Sequence, residues 1–211
     1  MTHIESIKKL FGKTFMESPL IDSFDAGKLV LTTGRIAVCD PLVTSDMPSF
    51  TTSFPLGEFP VAVHKEIESN CLAYVEVAFS TEEITNWQLA TSEGQDIKDL
   101  AEGEIYGFPV ESGMGCLLDS ETQENLNALE QHLFKRKGDD FMGIYEEFFH
   151  EHFYEEQGAV NQFAFLKPHD EKPGNLFAFE TGYGEGFYSS YIGFDQYHKP
   201  VKLIIELIEI G

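Results

Sequence analysis

Several features that would place the protein in a particular class are missing from its sequence. No apolar run approaches the roughly 18–20 residues that a membrane-spanning helix needs. The first nine residues lack the basic start and the apolar middle of a secretory signal peptide. There is no Walker A sequence and no Gly-x-Ser-x-Gly nucleophile elbow. We therefore expect a cytoplasmic protein without a membrane span, a phosphate-binding loop or an α/β-hydrolase serine.

Cysteine is scarce, and its spacing argues against two structural uses. Cys39, Cys71 and Cys116 are odd in number, far apart and without a CxxC pair, which disfavours a disulfide framework and a zinc knuckle. The histidines offer no metal pair either. His150 and His152 are two residues apart, so on a helix they point to opposite sides. We predict small buried thiols in a reducing compartment and no metal site built from these residues.

Basic residues are few. The chain has 14 lysines and arginines against 36 aspartates and glutamates, a formal net charge of −22 at pH 7. From Glu66 to Glu124 there are 14 acidic side chains and one lysine, Lys98. Such a surface repels phosphate backbones and anionic lipid headgroups, so we expect no nucleic-acid partner and no membrane partner. It attracts basic proteins and divalent cations, although solubility alone is a simpler reason for the same acidity.

The order of patterns along the chain predicts one globular domain over residues 1–211. An amphipathic pattern predicts an N-terminal helix within residues 1–18. A first β region covers 28–119, a pair of helices covers 120–157, and a second β region covers 160–210. Strands on both sides of a central helical pair indicate an α+β fold of predominantly antiparallel strands, arranged as a sandwich or a strongly curved sheet.

Local signals add detail within these regions. Alternating apolar residues around 32–35 predict a hairpin turn, and a second hairpin is predicted around 66–70. Ser120 and Gln123 form a capping-box pattern at the start of the first central helix. Apolar residues at helical spacing predict that the second central helix covers 139–156.

The most distinctive segment is Glu180–Gly193, in which four glycines accompany Glu185 and aromatic residues follow. It matches the dinucleotide-binding GxGxxG pattern poorly, because it has an acid in the middle and leads into aromatics instead of a helix. Four of its aromatic residues are candidate walls of a small-ligand pocket: Tyr183, Phe187, Tyr188 and Tyr191. The simpler interpretation is a tight turn between two strands.

Four carboxylates lie where strands end, where a helix begins, or in the glycine-rich segment: Asp40, Glu111, Asp119 and Glu185. If they converge, they can bind a divalent cation or act as an acid–base pair. Local explanations exist as well, since Asp40 starts a turn before a proline and Asp119 can help to cap a helix. Cys116 follows two glycines and is a speculative nucleophile, with a buried structural thiol as the alternative.

Five segments stand in a characteristic order: Thr33–Leu42, Pro55–Val61, Trp87–Ala90, Gly107–Asp119 and Thr181–Gly193. In this order and spacing they resemble the bacterial domain-of-unknown-function family 4241 (DUF4241). The resemblance extends from residue 28 to the C-terminus, and it implies a soluble bacterial domain without an established biochemical function or known catalytic residues. The family pattern usually has Asp where this chain has Glu111 and Glu185, and the extra methylene suits a turn better than a tight metal cage.

Three classes of function follow from these observations. The first is an acidic binding or interaction protein, immunity-like or regulatory and without catalysis, whose partner is a basic protein. The second is a hydrolase or metal-dependent enzyme that uses the four carboxylates, with a divalent cation as the possible cofactor. The third is a small-ligand binding module. The strong acidity and the missing catalytic motifs favour the first class.

Overall fold

A computed structural model describes residues 3–12, 18–101, 103–154 and 160–210. In these ranges the strands are β1 Ile21–Leu31, β2 Ile36–Cys39, β3 Gly57–Glu66, β4 Leu72–Ala78, β5 Asn86–Leu89, β6 Phe108–Val110, β7 Met114–Asp119, β8 Phe163–Leu166, β9 Leu176–Glu180, β10 Gly186–Phe194 and β11 Pro200–Glu206. The helices are α1 His3–Phe11, α2 Ser120–Lys137 and α3 His150–Phe153, the last preceded by a π-helical turn at Tyr145–Phe149. Shorter 3₁₀ turns lie at Ile97–Asp99 and Gly138–Asp140.

The strands form two antiparallel sheets. The larger sheet has seven strands in the order β1-β3-β4-β11-β10-β5, with β6 paired to β10. The smaller sheet has four strands in the order β2-β7-β9-β8. All pairings between named strands are antiparallel. The predicted α+β class with predominantly antiparallel strands is therefore confirmed.

The two sheets pack face to face around the main core. Side chains alternate between the faces of a strand, so every second residue points inwards. Val63 and Leu203 of the larger sheet meet Leu117 and Phe177 of the smaller one, and all four are fully buried. This arrangement leaves each sheet with an outer face that also needs to be covered.

Helices cover parts of both outer faces. On the larger sheet, Ile7 and Phe11 of α1 pack against Tyr74 and Tyr191. These two α1 residues are four apart and so lie on one side of the helix. On the smaller sheet, the buried residues of α2 and of the segment Ile144–Phe153 pack over β2, β7 and β9. The layers are therefore helix, larger sheet, smaller sheet and helices.

The hairpin predicted around 32–35 is wrong. β1 pairs with β3 in the larger sheet, whereas β2 pairs with β7 in the smaller sheet. Residues 32–35 therefore carry the chain from one sheet to the other, and Gly34 makes the turn with φ +71°, a backbone conformation that glycine adopts without steric cost. The hairpin predicted around 66–70 is confirmed, because β3 and β4 are antiparallel neighbours on either side of it.

The capping box predicted at Ser120 is also wrong. The capping residue is Asp119, whose side chain accepts a hydrogen bond from the Glu121 backbone N–H at 3.1 Å. Gln123 has another role, because its Nε2 donates to the carbonyl oxygens of Ser45 at 2.7 Å and Met47 at 2.8 Å. Gln123 thus fastens a loop to α2 instead of completing a cap.

The central helix predicted for 139–156 is shorter. Gly143 has φ +99°, which is incompatible with a continuing right-handed helix. After the 3₁₀ turn at Gly138–Asp140, helical structure therefore resumes only at Ile144 and ends at Phe153. Residues 155–156, like residues 13–17 of the predicted N-terminal helix, lie outside the described residues. Within the described ranges, no helix has both the length and the apolar character that crossing a membrane requires.

Candidate functional site

Asp40 acts as an internal brace at the end of β2. It is completely buried. Its Oδ1 accepts hydrogen bonds from the Leu42 N–H at 2.9 Å, the Val43 N–H at 3.2 Å and the Ser112 hydroxyl at 2.8 Å. Its Oδ2 accepts from the N–H groups of Glu111 at 2.9 Å and Ser112 at 2.8 Å. Both oxygens are thus used to hold the turn between β6 and β7.

Asp119 is a second brace, also completely buried. Its Oδ2 accepts from the backbone N–H groups of Thr33 and Gly34, each at 3.0 Å. Its Oδ1 accepts from the hydroxyls of Thr32 at 3.1 Å and Thr33 at 2.8 Å, besides the bond that caps α2. One carboxylate therefore fixes both the crossing between the sheets and the start of α2.

The four candidate carboxylates do not form one site. Asp40 accepts hydrogen bonds from the turn that precedes β7, whereas Asp119 is the last residue of β7. The two carboxylates are therefore separated by the length of that strand, which rises about 3.3 Å per residue. The side chains of Glu111 and Glu185 are exposed. Among the described residues, no group of three or more His, Cys, Asp or Glu side chains is placed to hold a metal ion.

Cys116 is sealed inside the smaller sheet. It lies directly opposite Cys39 in the β2–β7 pairing, and both are fully buried free thiols. Burial raises the pKa of the Cys116 thiol, and neighbouring Cys39 and Asp40 raise it further. Because a thiolate is the reactive form, this environment suppresses nucleophilic reactivity at Cys116.

The glycine-rich segment makes a tight connection between β9 and β10. The Thr181 N–H donates to the Gly113 carbonyl at 3.0 Å, which ties this turn to the one held by Asp40. The Tyr188 hydroxyl is placed to donate to the carbonyl oxygens of Thr181 at 3.1 Å and Gly184 at 2.6 Å. This tyrosine therefore closes the turn.

The four aromatic residues proposed as pocket walls are dispersed. Tyr188 points into the core between the sheets, and Tyr191 points to the opposite face, under α1. Tyr183 and Phe187 are 71% and 53% exposed. The Tyr183 hydroxyl donates to Oε2 of Glu66 at 3.1 Å. These four side chains do not line a common pocket.

A row of hydrogen-bonded polar side chains crosses four neighbouring strands on the outer face of the larger sheet. The Oγ of Ser23 lies 2.8 Å from Nδ1 of His64, and Nε2 of His64 lies 3.1 Å from Oε2 of Glu76. The ammonium of Lys202 lies 2.6 Å from Oε1 of the same glutamate. Ser23, His64, Glu76 and Lys202 belong to β1, β3, β4 and β11, and we refer to them as the polar row.

The polar row is exposed at one end only. His64 is 3% exposed and Lys202 is 7% exposed, whereas Ser23 is exposed to solvent. Phe11 of α1 packs edge-on against the His64 ring, with 5.3 Å between the ring centroids. The row therefore runs from a buried ammonium to an accessible hydroxyl.

The charges within the row determine its hydrogen-bond directions. Burial by itself raises the pKa of Glu76, but the hydrogen bond from His64 and the charge of Lys202 outweigh it and hold the pKa below its usual value. The carboxylate is thus ionised and accepts from Nε2–H of His64. In neutral His64 this leaves Nδ1 as the acceptor for the Ser23 hydroxyl.

Two clefts open over the polar row. The larger cleft has a volume of about 510 Å³ and includes the carboxylates Glu76, Glu82 and Glu83 together with Lys202; we call it the acidic cleft. The smaller has a volume of about 220 Å³ and includes Ser23; we call it the serine cleft. Glu76 lines both, so the two clefts meet at the middle of the row.

Sequence reasoning missed the polar row, although the predicted hairpin around 66–70 already indicated that His64 and Glu76 are neighbours. The hairpin around 66–70 was predicted, and its register places Glu76 opposite Ala62 and Tyr74 opposite His64. Because residues two apart share a face of a strand, the same register puts His64 and Glu76 side by side. Ser23 lies before the predicted first β region, and its contact with His64 spans 41 residues.

One comparison with known proteins gives a match. The family model described as a protein of unknown function (DUF4241) matches residues 29–205, which confirms the resemblance drawn from the five ordered segments. No curated protein and no solved structure matches the chain.

Proposed function

The chain belongs to the DUF4241 family of proteins of unknown function, and from this premise we propose that it is an acidic binding protein whose partner is basic. The feature that carries the proposal is the acidic cleft. In this role the protein acts as an immunity-like or regulatory partner, which binds a cationic side chain of another protein. We further propose that it acts in the bacterial cytoplasm, where cysteines that remain free thiols are usual.

The acidic cleft has an excess of negative charge. Lys202 is the cation within it, and its ammonium is already paired with Glu76 at 2.6 Å. Glu82 and Glu83 are exposed, and neither takes part in an ion pair within the described residues. An incoming cation therefore meets two carboxylates that no other residue of the described chain neutralises.

The apolar part of the cleft suits the stem of a long basic side chain. Ala78, Ile84 and Val201 line it beside the carboxylates. Lysine and arginine bury their methylene groups against apolar surface while the charged end stays near carboxylates or water. The net charge of −22 adds long-range attraction, which raises the association rate of a basic partner at low salt.

The proposal is tested with an oligo-arginine peptide as the probe and isothermal titration calorimetry as the measurement. We expect binding at about 0.01 M salt, where the Debye length is about 30 Å, and marked weakening at about 1 M. The double variant Glu82→Gln/Glu83→Gln is expected to bind at least about tenfold more weakly, the equivalent of about 1.4 kcal/mol.

The matched control is Asp139→Asn/Asp140→Asn, which removes the same charge from two adjacent exposed residues outside the acidic cleft. We expect it to bind the peptide within about twofold of the wild type, because Glu82 and Glu83 remain in the acidic cleft. The comparison is fair because both double variants have the same overall charge. Equal weakening in both would show that the peptide responds to net charge and not to the cleft. No binding at low salt would refute the proposed function altogether.

A further inference from the structure

We propose that Ser23 is a nucleophile that accepts a short acyl group from an uncharged ester, with His64 as its general base. This activity goes beyond the proposed binding function and uses the serine cleft. Two observations support it: the hydrogen bonds that link Ser23, His64 and Glu76, and the fact that Ser23 is the exposed end of the polar row.

The connectivity matches what activation of a serine requires. A hydroxyl becomes a useful nucleophile when a base within about 2.6–3.2 Å takes its proton and a third group orients that base. The Ser23–His64 distance of 2.8 Å and the His64–Glu76 distance of 3.1 Å fall in this range. In this row Nδ1 receives the proton and Nε2–H faces the carboxylate.

Lys202 and Phe11 give the base a fixed position. The ammonium of Lys202 holds one oxygen of Glu76 at 2.6 Å, which leaves the other oxygen directed at His64. Phe11 confines the imidazole ring from the side of α1. An ionised carboxylate beside Nε2–H stabilises the imidazolium that forms when Nδ1 takes the serine proton. Glu76 and Lys202 are positioning residues in this scheme, and Ser23 and His64 touch the reacting atoms.

The serine cleft indicates the class of substrate. Besides Ser23 it is lined by Pro60, Ala62 and Ala78, which present small apolar surfaces to an acyl chain. Its volume of about 220 Å³ suits a short chain. Asp25 and Glu76 also line it, so a carboxylate or phosphate on the substrate would be repelled. The fitting donor is therefore an uncharged ester with a short acyl group.

The proposed reaction has two steps. In the first, Oγ of Ser23 attacks the ester carbonyl carbon while its proton moves to Nδ1 of His64; the C–O bond to the alcohol breaks, and the departing alkoxide takes that proton. The products are acyl-serine and the alcohol. In the second step water attacks the acyl-serine, gives its proton to Nδ1, and releases the carboxylic acid as Ser23 Oγ recovers the proton.

The test uses p-nitrophenyl acetate, with release of nitrophenolate and intact-protein mass as readouts. In samples quenched before the second step, we expect one acetyl group per chain, located on Ser23 by peptide mapping, and none in Ser23→Ala. In His64→Gln the acylation rate is expected to fall by about 100-fold or more, the usual contribution of a general base.

Ser80→Ala is the control, because Ser80 is another exposed serine that lines the neighbouring acidic cleft. It should be acetylated as fast as the wild type. Acetylation that persists in Ser23→Ala would overturn the proposal even if His64→Gln fails to fold. A folded His64→Gln variant that is acetylated as fast as the wild type would overturn it as well. Ser23→Ala should still bind the oligo-arginine peptide, so failure of this proposal is distinguishable from failure of the binding function.

Discussion

Replacing Asp119 by alanine is expected to lower the free energy of unfolding by about 4 kcal/mol. The substitution removes the acceptor for two backbone N–H groups, those of Thr33 and Gly34, both 3.0 Å from Oδ2. A backbone donor that loses its partner costs about 1–3 kcal/mol; we expect the lower end for exposed Thr33 and the middle of the range for buried Gly34. Loss of the α2 cap adds about 1 kcal/mol. The effect is large beside a typical domain stability of about 5–15 kcal/mol.

The measurement is urea-induced unfolding followed by far-UV circular dichroism. We expect the midpoint to move to a lower urea concentration while the slope stays unchanged, because the same surface is exposed on unfolding. Asp119→Asn is expected to fall between the wild type and alanine, since it keeps one acceptor oxygen but loses the charge that strengthens these bonds.

Asp25→Ala is the matched control. Asp25 is exposed and accepts a single backbone hydrogen bond, from Gly27 at 2.9 Å. Its removal is expected to cost no more than about 0.5 kcal/mol, as for most surface substitutions. If Asp119→Ala were no more destabilising than Asp25→Ala, the assignment of Asp119 as the brace between the sheets and α2 would be refuted.

The surroundings of Glu76, Cys116 and Gly34 can each be tested by a separate experiment. The folded-state pKa of Glu76 lies below its ordinary value of 4.5. The ionised carboxylate therefore stabilises the fold above that value, and this stabilisation is lost as pH falls through the folded pKa. On acidification, the free energy of unfolding should decline less steeply in Glu76→Gln than in the wild type. Iodoacetamide should label half-buried Cys71 in the folded protein and Cys116 only after unfolding, since burial raises the pKa of Cys116. Gly34→Ala should be strongly destabilising, because a Cβ at this positive-φ position would collide with the Phe54 carbonyl oxygen.

A specific experimental result would contradict each of these three predictions. Identical acid unfolding curves for the wild type and Glu76→Gln would show that the Glu76 carboxylate does not contribute as described. Mass spectrometry of tryptic peptides should find Cys116 unmodified under native conditions, and rapid labelling there would contradict its burial. Gly94→Ala is the control for Gly34, because Gly94 has φ +86° but no atom within 4 Å of the added Cβ. The Gly34 variant should lose at least about 1 kcal/mol more in urea unfolding, because both variants carry the positive-φ penalty and only the one at Gly34 adds the collision with Phe54.

Local patterns in the sequence predicted an element correctly where residues close together in the chain determine its structure. The amphipathic N-terminal helix, the hairpin around 66–70 and the start of α2, although not its capping residue, are of this kind. They depend on side-chain periodicity and turn chemistry within a few residues. The second central helix was predicted too long, because a pattern of aromatic residues continued across Gly143 although its backbone did not.

The candidate site was less accessible to sequence reasoning. Asp40 and Asp119 stood out because they end strands beside turn residues, but their positions are equally suited to ligands and to internal hydrogen bonds. Only the partners distinguish the two uses, and here the partners are backbone N–H groups of distant turns. The polar row escaped notice because no two of its members are close in sequence; even His64 and Glu76 are 12 residues apart.

Read without its fold, the chain shows a formal net charge of −22, predicts the class of fold and membership of the family, and lacks the common nucleotide and hydrolase motifs. These properties depend on composition, on periodicity and on the order of short segments, all of which belong to the chain without its partners. The tertiary structure decided which sheet each strand joins, that Asp40 and Asp119 brace turns, and that Ser23, His64, Glu76 and Lys202 meet on one face. Strand pairing is a long-range choice made by burial of whole faces, so contacts across strands exist only once the sheets have formed.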